Sequence, residues 1–248
     1  MHALLRFHGD LPDLLRRPHE RGEVRYPADR AASLKDVVEA CGIPHTEVDS
    51  LAEDGRAADF ATPLRAGTAV DVRPPVPPLD PTAPHPLREP LPSLRFLADA
   101  NVGRLATWLR LLGLDTAYDN VSEDAEVAER AAREGRVLLT RDRRLLRRRI
   151  VAHGRLLRTG DPARQLGEVL TLYGLRGPFA PFSRCLRCNT PLRPVAKAEV
   201  LPRLLPKTRR YYEEFHICPS CDRIYWAGSH HDGMLRMLRE LGVPLPGA

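Results

Sequence analysis

Between Met1 and Arg73 the apolar positions switch spacing several times. Ala3-Leu4-Leu5-Arg6-Phe7 has the short apolar character of a strand, and Arg21-Gly22-Glu23-Val24 predicts a turn into a second. Leu34, Val37, Val38 and Cys41 then recur at helical spacing. Ser33 stands at the N-cap position and Gly42 at the stop, so a helix is expected between them. Strand-like pieces follow at Val48-Asp49-Ser50-Leu51 and Thr68-Ala69-Val70-Asp71-Val72. That order predicts an α+β module small enough to be a β-grasp. Cys41 falls on the apolar face and is expected to be a buried small hydrophobe. Pro44-His45-Thr46-Glu47 is expected to be a turn with capping and surface roles.

From Pro74 to Pro92 prolines dominate, which predicts an extended inter-domain spacer. Beyond it the pattern alternates strand and helix at short spacing. Arg95-Phe96-Leu97-Ala98 and Val137-Leu138-Leu139-Thr140 read as strands, as do Thr116-Ala117-Tyr118 and Arg155 to Arg158. Helices are expected from Val102 to Leu112, Asp124 to Glu134, Arg143 to Ile150 and Asp161 to Tyr173. Such alternation predicts a parallel sheet covered on both faces. We divide the chain into residues 1–73, a proline-rich linker 74–93, an α/β domain 94–180, a cysteine-bearing ribbon 181–230 and a helical tail 231–248.

Composition changes this picture in two ways. The chain of 248 residues carries a net charge of +6 and a sequence pI near 9.3, which points to a polyanionic partner such as nucleic acid. Lysine occurs only at positions 35, 197 and 207, so nearly all of the positive charge is arginine. No apolar run approaches the ~20 residues of a membrane span, and the first residues lack a secretory pattern. A cytoplasmic location with no membrane partner is therefore expected.

Four of the five cysteines form two C-x-x-C pairs, Cys185/Cys188 and Cys218/Cys221. That spacing suits a closed, structural four-thiolate Zn²⁺ site.

Asp99, Asp119 and Asp142 each follow a strand, and Asp124 begins a helix after one. In a parallel sheet all four belong at the carboxyl edge, where ligands bind. Hard oxygen ligands there suit Mg²⁺ or Mn²⁺. The same residues also serve as helix caps, and spacing alone leaves both roles open.

Arginines cluster near these acids at Arg141, Arg143 and Arg144, with Arg147 to Arg149 beyond. Arg104 and Arg110 project from the first helix of the α/β domain. Arg209 and Arg210 precede Tyr211-Tyr212, a basic and aromatic pairing suited to single-stranded RNA. Arg104, Arg110, Arg141, Arg143, Arg144, Arg209 and Arg210 are the candidate phosphate contacts. The competing expectation for the 143–150 helix is a solvated face with Leu145, Leu146 and Ile150 packed inward.

Two resemblances add to this. Ser33-Leu34-Lys35-Asp36 and Gly42-Ile43-Pro44-His45-Thr46-Glu47-Val48 resemble the ubiquitin-like domain that precedes the Mut-seven C-terminal RNase domain in bacterial proteins. It implies a β-grasp fold and admits a protein partner. No Gly-Gly follows Val72, so conjugation is not supported. Phe96 to Asp99, Leu105 to Asp115, and Arg136 to Asp142 resemble the RNase domain itself, a PIN-like nuclease family, over about Leu94 to Gly228. That resemblance implies metal-dependent RNA cleavage with Asp99, Asp124 and Asp142 as the catalytic acids, and Asp119 and Glu123 as auxiliaries. Ala100-Asn101-Val102 departs from the family's usual run, but Asn101 remains able to donate a hydrogen bond near the site.

The expectation is thus a β-grasp followed by a PIN-like parallel sheet and a zinc ribbon. Its function would be a Mg²⁺- or Mn²⁺-dependent ribonuclease. The alternative is a non-catalytic RNA-binding or ribosome-associated adaptor.

Overall fold

The computed structural model describes residues 1–16, 22–118 and 120–245. In chain order the first elements are β1 (His2–Phe7), β2 (Glu23–Pro27), α1 (Leu34–Cys41), β3 (Ser50–Glu53), β4 (Arg56–Ala58) and β5 (Ala69–Arg73). Then come β6 (Phe96–Ala98), α2 (Gly103–Leu111), β7 (Thr116–Tyr118), α3 (Asp124–Glu134), β8 (Val137–Thr140), α4 (Arg143–Leu146), β9 (Gly154–Leu156) and α5 (Pro162–Leu172). The last part holds β10 (Arg193–Val195), α6 (Lys197–Val200), α7 (Pro206–Tyr211), β11 (Phe215–Ile217), β12 (Ile224–Tyr225) and α8 (Ser229–Glu240). These residues form two compact units, Met1–Asn101 with Asp119–Arg158, and Val102–Tyr118 with Thr159–Ala248.

The first unit begins with a β-grasp. Its sheet runs β2-β1-β5-β3-β4, with β1 and β5 parallel at the centre and the other pairs antiparallel. Leu5, Val70 and Val72 are buried, as are Leu34, Val37 and Val38 of α1. Ser33 caps α1 by accepting the Asp36 N–H at 3.2 Å, and Gly42 ends it at φ 121°. The Arg21 end of the expected turn lies outside the described residues. Strand β4 was not anticipated, although Asp54-Gly55 carries its signal. Both residues sit at positive φ, as a tight hairpin between twisted strands requires.

Three parallel strands follow in the order β6-β8-β9. Phe96, Leu97, Ala98, Val137, Leu138 and Leu139 are all buried, the continuous apolar pattern of strands covered on both faces. Helix α3 contributes Val127, Ala128 and Ala131 to the core and stops at Gly135 in the left-handed region. Helix α4 is shorter than expected. It ends at Leu146, Ile150 is 49% exposed, and Val151 takes the buried place. Continued helix would carry Arg149, four residues after Leu145, onto the buried face. The chain turns instead, with bonds from Arg148 N–H to Leu145 O and Val151 N–H to Arg148 O.

The turn over His45–Glu47 corrects another expectation, because it is buried rather than exposed. Glu47 accepts the Leu156 N–H and the Arg155 guanidinium, each at 2.7 Å. His45 lies between the Glu39 carboxylate at 2.7 Å and the Val151 carbonyl at 2.8 Å. The proline-rich segment is likewise no free spacer. Arg88 donates to the Val48 carbonyl, His85 lies 3.0 Å from the Asp49 carboxylate, and His153 Nε2 donates to the Glu89 carbonyl at 2.7 Å. Extended proline-rich backbone leaves carbonyls unpaired, and here His153, just before β9, uses that of Glu89. Cys41 is half-buried, with burial pushing its thiol up to about 11.

In the second unit α2 packs on α5 through buried Leu105, Leu109, Leu166 and Val169. An antiparallel ribbon, β10-β11-β12, closes around Val200, Leu204 and Phe215. Among the described residues no helix is long and apolar enough to cross a membrane.

Leu138 lies at the centre of the parallel strands. Leu138→Ala is expected to lower stability by roughly 2–5 kcal/mol, read by chemical denaturation. The pKa of His153 is lowered by desolvation, against the opposing bond to Glu89. A base whose folded pKa is depressed adds stability above its unfolded value of 6.5, lost as pH falls through the folded pKa. The denaturation midpoint should therefore decline on acidifying below about 6.5, and less steeply in His153→Gln.

Candidate active site and metal centre

Strand β6 ends at Ala98, and the Asp99 N–H makes the next rung to the Leu139 carbonyl at 3.0 Å. The Asp99 side chain is thereby turned into a shell of donors. Its Oδ1 accepts the Ala100 N–H at 2.6 Å, and its Oδ2 accepts Asn101 Nδ2 at 2.5 Å and the Thr140 hydroxyl at 2.6 Å. The Thr140 oxygen itself accepts the Asp142 N–H at 2.9 Å and lies 3.3 Å from Asn101 Nδ2. Its one proton is therefore committed to Asp99. Asn101 Oδ1 accepts the Arg141 N–H at 3.0 Å, tying the loop after β6 to the loop after β8.

Asp142 occupies the N-cap of α4, its Oδ1 accepting the Arg144 N–H at 2.6 Å. Asp99, Asn101, Thr140 and Asp142 thus form one connected group. Thr140 is its hub, yet sequence reasoning treated it only as the end of a strand. The available signal was Thr-x-Asp at that end, where a hydroxyl reaches the N–H two residues on.

The remaining acids are placed differently. Asp124 is the first residue of α3 and Glu123 its N-cap position, with no side-chain cap bond. Asp119 lies outside the described residues. Among the described residues the acids do not form a group of three with ligand atoms within 4.8 Å of one another. The donor set still fits a hard divalent cation. Asp99 Oδ1 and Asp142 Oδ2 each retain an acceptor position after the bonds above, and the Asp124 carboxylate has none to a described residue.

The four cysteines do converge. All their sulfurs lie within 4.8 Å, with Cys185 to Cys221 at 3.5 Å and Cys188 to Cys218 at 3.3 Å. A tetrahedral zinc with bonds of ~2.3 Å needs sulfurs roughly 3.8 Å apart, so the cluster could hold that ion. Each pair is the same turn twice. Asn189 N–H donates to Cys185 O and Asp222 N–H to Cys218 O, both at 2.9 Å. Cys185 N–H returns to Thr190 O, and Cys218 N–H to Arg223 O. Asn189 and Asp222 sit at φ 70° and 57°, positions where Asn and Asp are tolerated best after glycine.

The thiols perturb one another. Desolvation opposes ionisation of Cys188, but bonds with Thr190 and the neighbouring thiols outweigh it and draw its pKa down to about 6. Desolvation and the same thiols push Cys221 up to about 12. Four sulfurs this close cannot all ionise without a counter-charge, which a divalent cation supplies.

The model of the Mut7-C RNAse domain family matches residues 94–238, a span that carries the strand-end acids and all four cysteines. The chain belongs to this family. The Mut7-C ubiquitin model matches residues 1–80, the β-grasp. No curated protein and no solved structure matches the chain.

Within the Mut7-C RNAse domain the candidate arginines separate into two kinds. Arg104, Arg141 and Arg144 are exposed. Arg210 is exposed and lies over the Tyr211 ring, 5.5 Å from its centroid. Arg110 must be removed from the phosphate contacts. It is 4% exposed and donates to the carbonyls of Thr116, Leu186 and Arg187 at 2.7, 3.0 and 2.7 Å. Its guanidinium braces the first cysteine turn. Arg143 is also engaged, donating to the Leu14 carbonyl at 2.7 Å. Arg209 bonds the Leu204 and Pro202 carbonyls at the foot of α7. Tyr212 packs on the ribbon core, while Tyr211 is exposed. Sequence reasoning missed an open cleft of about 430 Å³ in the ribbon, lined in part by Phe182, His216, Tyr225, Trp226 and His231.

Metal analysis of the purified chain is expected to find about one zinc, and its chelation to unfold the ribbon, read by loss of dispersed Phe215 and Ile217 signals. Arg110→Ala leaves three carbonyls without their donor. It should cost at least ~2 kcal/mol, measured as a lower denaturation midpoint.

Proposed function

We infer that the chain is a metal-dependent ribonuclease, with Asp99, Asp124 and Asp142 holding Mg²⁺ or Mn²⁺. The observation that carries this is the connected group of Asp99, Asn101, Thr140 and Asp142 at the carboxyl ends of β6 and β8, inside a Mut7-C RNAse domain. A cation bound there supplies Lewis acidity and charge neutralisation for phosphodiester hydrolysis. The chain's own residues do the rest. Three donors lock the Asp99 carboxylate in one orientation, and the helix N-terminus holds Asp142. Glu123, at the start of α3, is an auxiliary acid, and Asp119 is assigned the same role from the sequence. Exposed Arg141 and Arg144 bind backbone phosphates beside the site, and Arg104 is a separate exposed phosphate contact.

The ribbon is a structural zinc module that positions RNA. Arg210 with Tyr211 offers charge and a stacking face, and the Trp226 cleft offers another. The protein acts on cytoplasmic RNA, and the β-grasp admits a protein partner.

Two observations favour the second reading, a non-catalytic RNA-binding or ribosome-associated adaptor. Asp142 caps α4, and the acids do not converge to within 4.8 Å among the described residues. The two readings separate in one assay. Asp99→Asn and Asp142→Asn are each expected to slow RNA cleavage in Mg²⁺ or Mn²⁺ by at least ~100-fold with RNA affinity within about threefold. A wild type that binds RNA but cleaves no substrate offered favours the adaptor. Mutants as fast as wild type place the catalytic acids elsewhere.

A further inference from the structure

Thr140 orients Asp99 and receives the Asp142 N–H, so the site depends on where β8 ends. The last rung between β6 and β8 is the bond from Asp99 N–H to Leu139 O, one residue short of Thr140. The Thr140 carbonyl instead accepts the Leu157 N–H of the β9 side at 2.8 Å, and Thr140 pairs with Leu156. The position of Thr140 is therefore set from β9.

Strand β9 ends the sheet, and its outer edge carries the Leu156 N–H. Glu47 of the β-grasp takes that N–H on Oε1 and the Arg155 guanidinium on Oε2. The carboxylate stands where a next strand would, and its side chain is fully buried. Gly154 lets β9 lie close under α4, since a Cβ there would meet Leu146 Cδ2 at 2.5 Å, while Thr46 of the β-grasp stands at ordinary contact distance, 3.5 Å. A second bond from the β-grasp reaches the other flank of the site. The Leu14 carbonyl accepts Arg143, the first residue of the helix that Asp142 caps.

We propose that Glu47 is a positioning residue for the Asp99–Asp142 site, so that the β-grasp holds the nuclease loop in register from within the same chain. This gives the β-grasp a role distinct from recruiting a separate protein. The kinetic consequence rests on the ribonuclease reading above, whereas the ordering of Thr140 and Asp142 does not.

The test uses the full chain with Glu47→Ala and Glu47→Gln, the second keeping a carbonyl that can accept the Leu156 N–H. Amide hydrogen exchange should accelerate by about tenfold or more at Leu156, Leu157 and Asp142 in Glu47→Ala. Exchange at Leu5 and Val70 should stay within about twofold, and Glu47→Gln should recover most of the protection. RNA cleavage should lose about tenfold in kcat with KM nearly unchanged, in a variant whose denaturation midpoint lies well above the assay temperature, so that a reduced folded fraction does not account for the loss. Should Glu47→Ala fail to fold, Glu47→Asp takes its place: the shorter side chain withdraws the carboxylate from the Leu156 N–H, and exchange at Leu156, Leu157 and Asp142 should accelerate while Leu5 and Val70 stay within about twofold. Unchanged exchange at Leu157 and Asp142 in a folded variant, or equal acceleration across both sheets, overturns the proposal. A wild type that cleaves no RNA, alongside the local acceleration, removes the ribonuclease reading and leaves the positioning intact.

Discussion

A parallel sheet built from strands of three and four residues has little ladder to hold it, and its outermost N–H groups must still find acceptors. The first unit answers that constraint at β9. Glu47 brings a carboxylate to the Leu156 N–H, where water would otherwise compete with the rungs to β8. Around this contact gather His45 on the Val151 carbonyl, Arg158 on Asp10, and Arg143 on the Leu14 carbonyl. The β-grasp and the strands after it consequently share one compact unit. The proline-rich segment reinforces this, since its side chains and carbonyls bond to both.

The second unit depends on a different device. Its ribbon has a small apolar core, and two near-identical cysteine turns do much of the ordering. Arg110 links those turns to α2 by donating to backbone carbonyls of Leu186 and Arg187. Burial lowers its pKa from the ordinary arginine value, opposed by the nearby cysteines and Asp115. Asp115 in turn accepts Asn189 Nδ2 at 2.8 Å, so the αL residue of the first turn is held on both sides. These bonds aim both cysteine turns at one point, where a bound metal would complete the order of the ribbon.

Much of the local structure was legible from residue pattern. Ser33 and Gly42 bounded α1, Gly135 ended α3, and the apolar runs before Asp99 and Asp142 formed the buried parallel strands. The two C-x-x-C pairs were legible because four thiolates have few other uses in that spacing. The β4 hairpin was missed although Asp54-Gly55 announced it, and the 143–150 helix was drawn too long because charge does not mark where a helix leaves the core. Arg110 looked like Arg104, since spacing along a helix does not say which arginine faces a neighbouring carbonyl.

The sequence by itself determined the element types, the strand-end placement of Asp99 and Asp142, and the four-thiolate set, because each follows from neighbours within a few residues. Only the tertiary structure decided that Thr140 is the hub between those aspartates and that Arg110 is a brace. It alone decided that a turn expected at the surface is buried against β9. Those outcomes rest on contacts between residues about forty to more than a hundred positions apart, such as Thr140 with Asp99 and Glu47 with Leu156. A polar side chain is read as exposed until the distant backbone group that satisfies it is known.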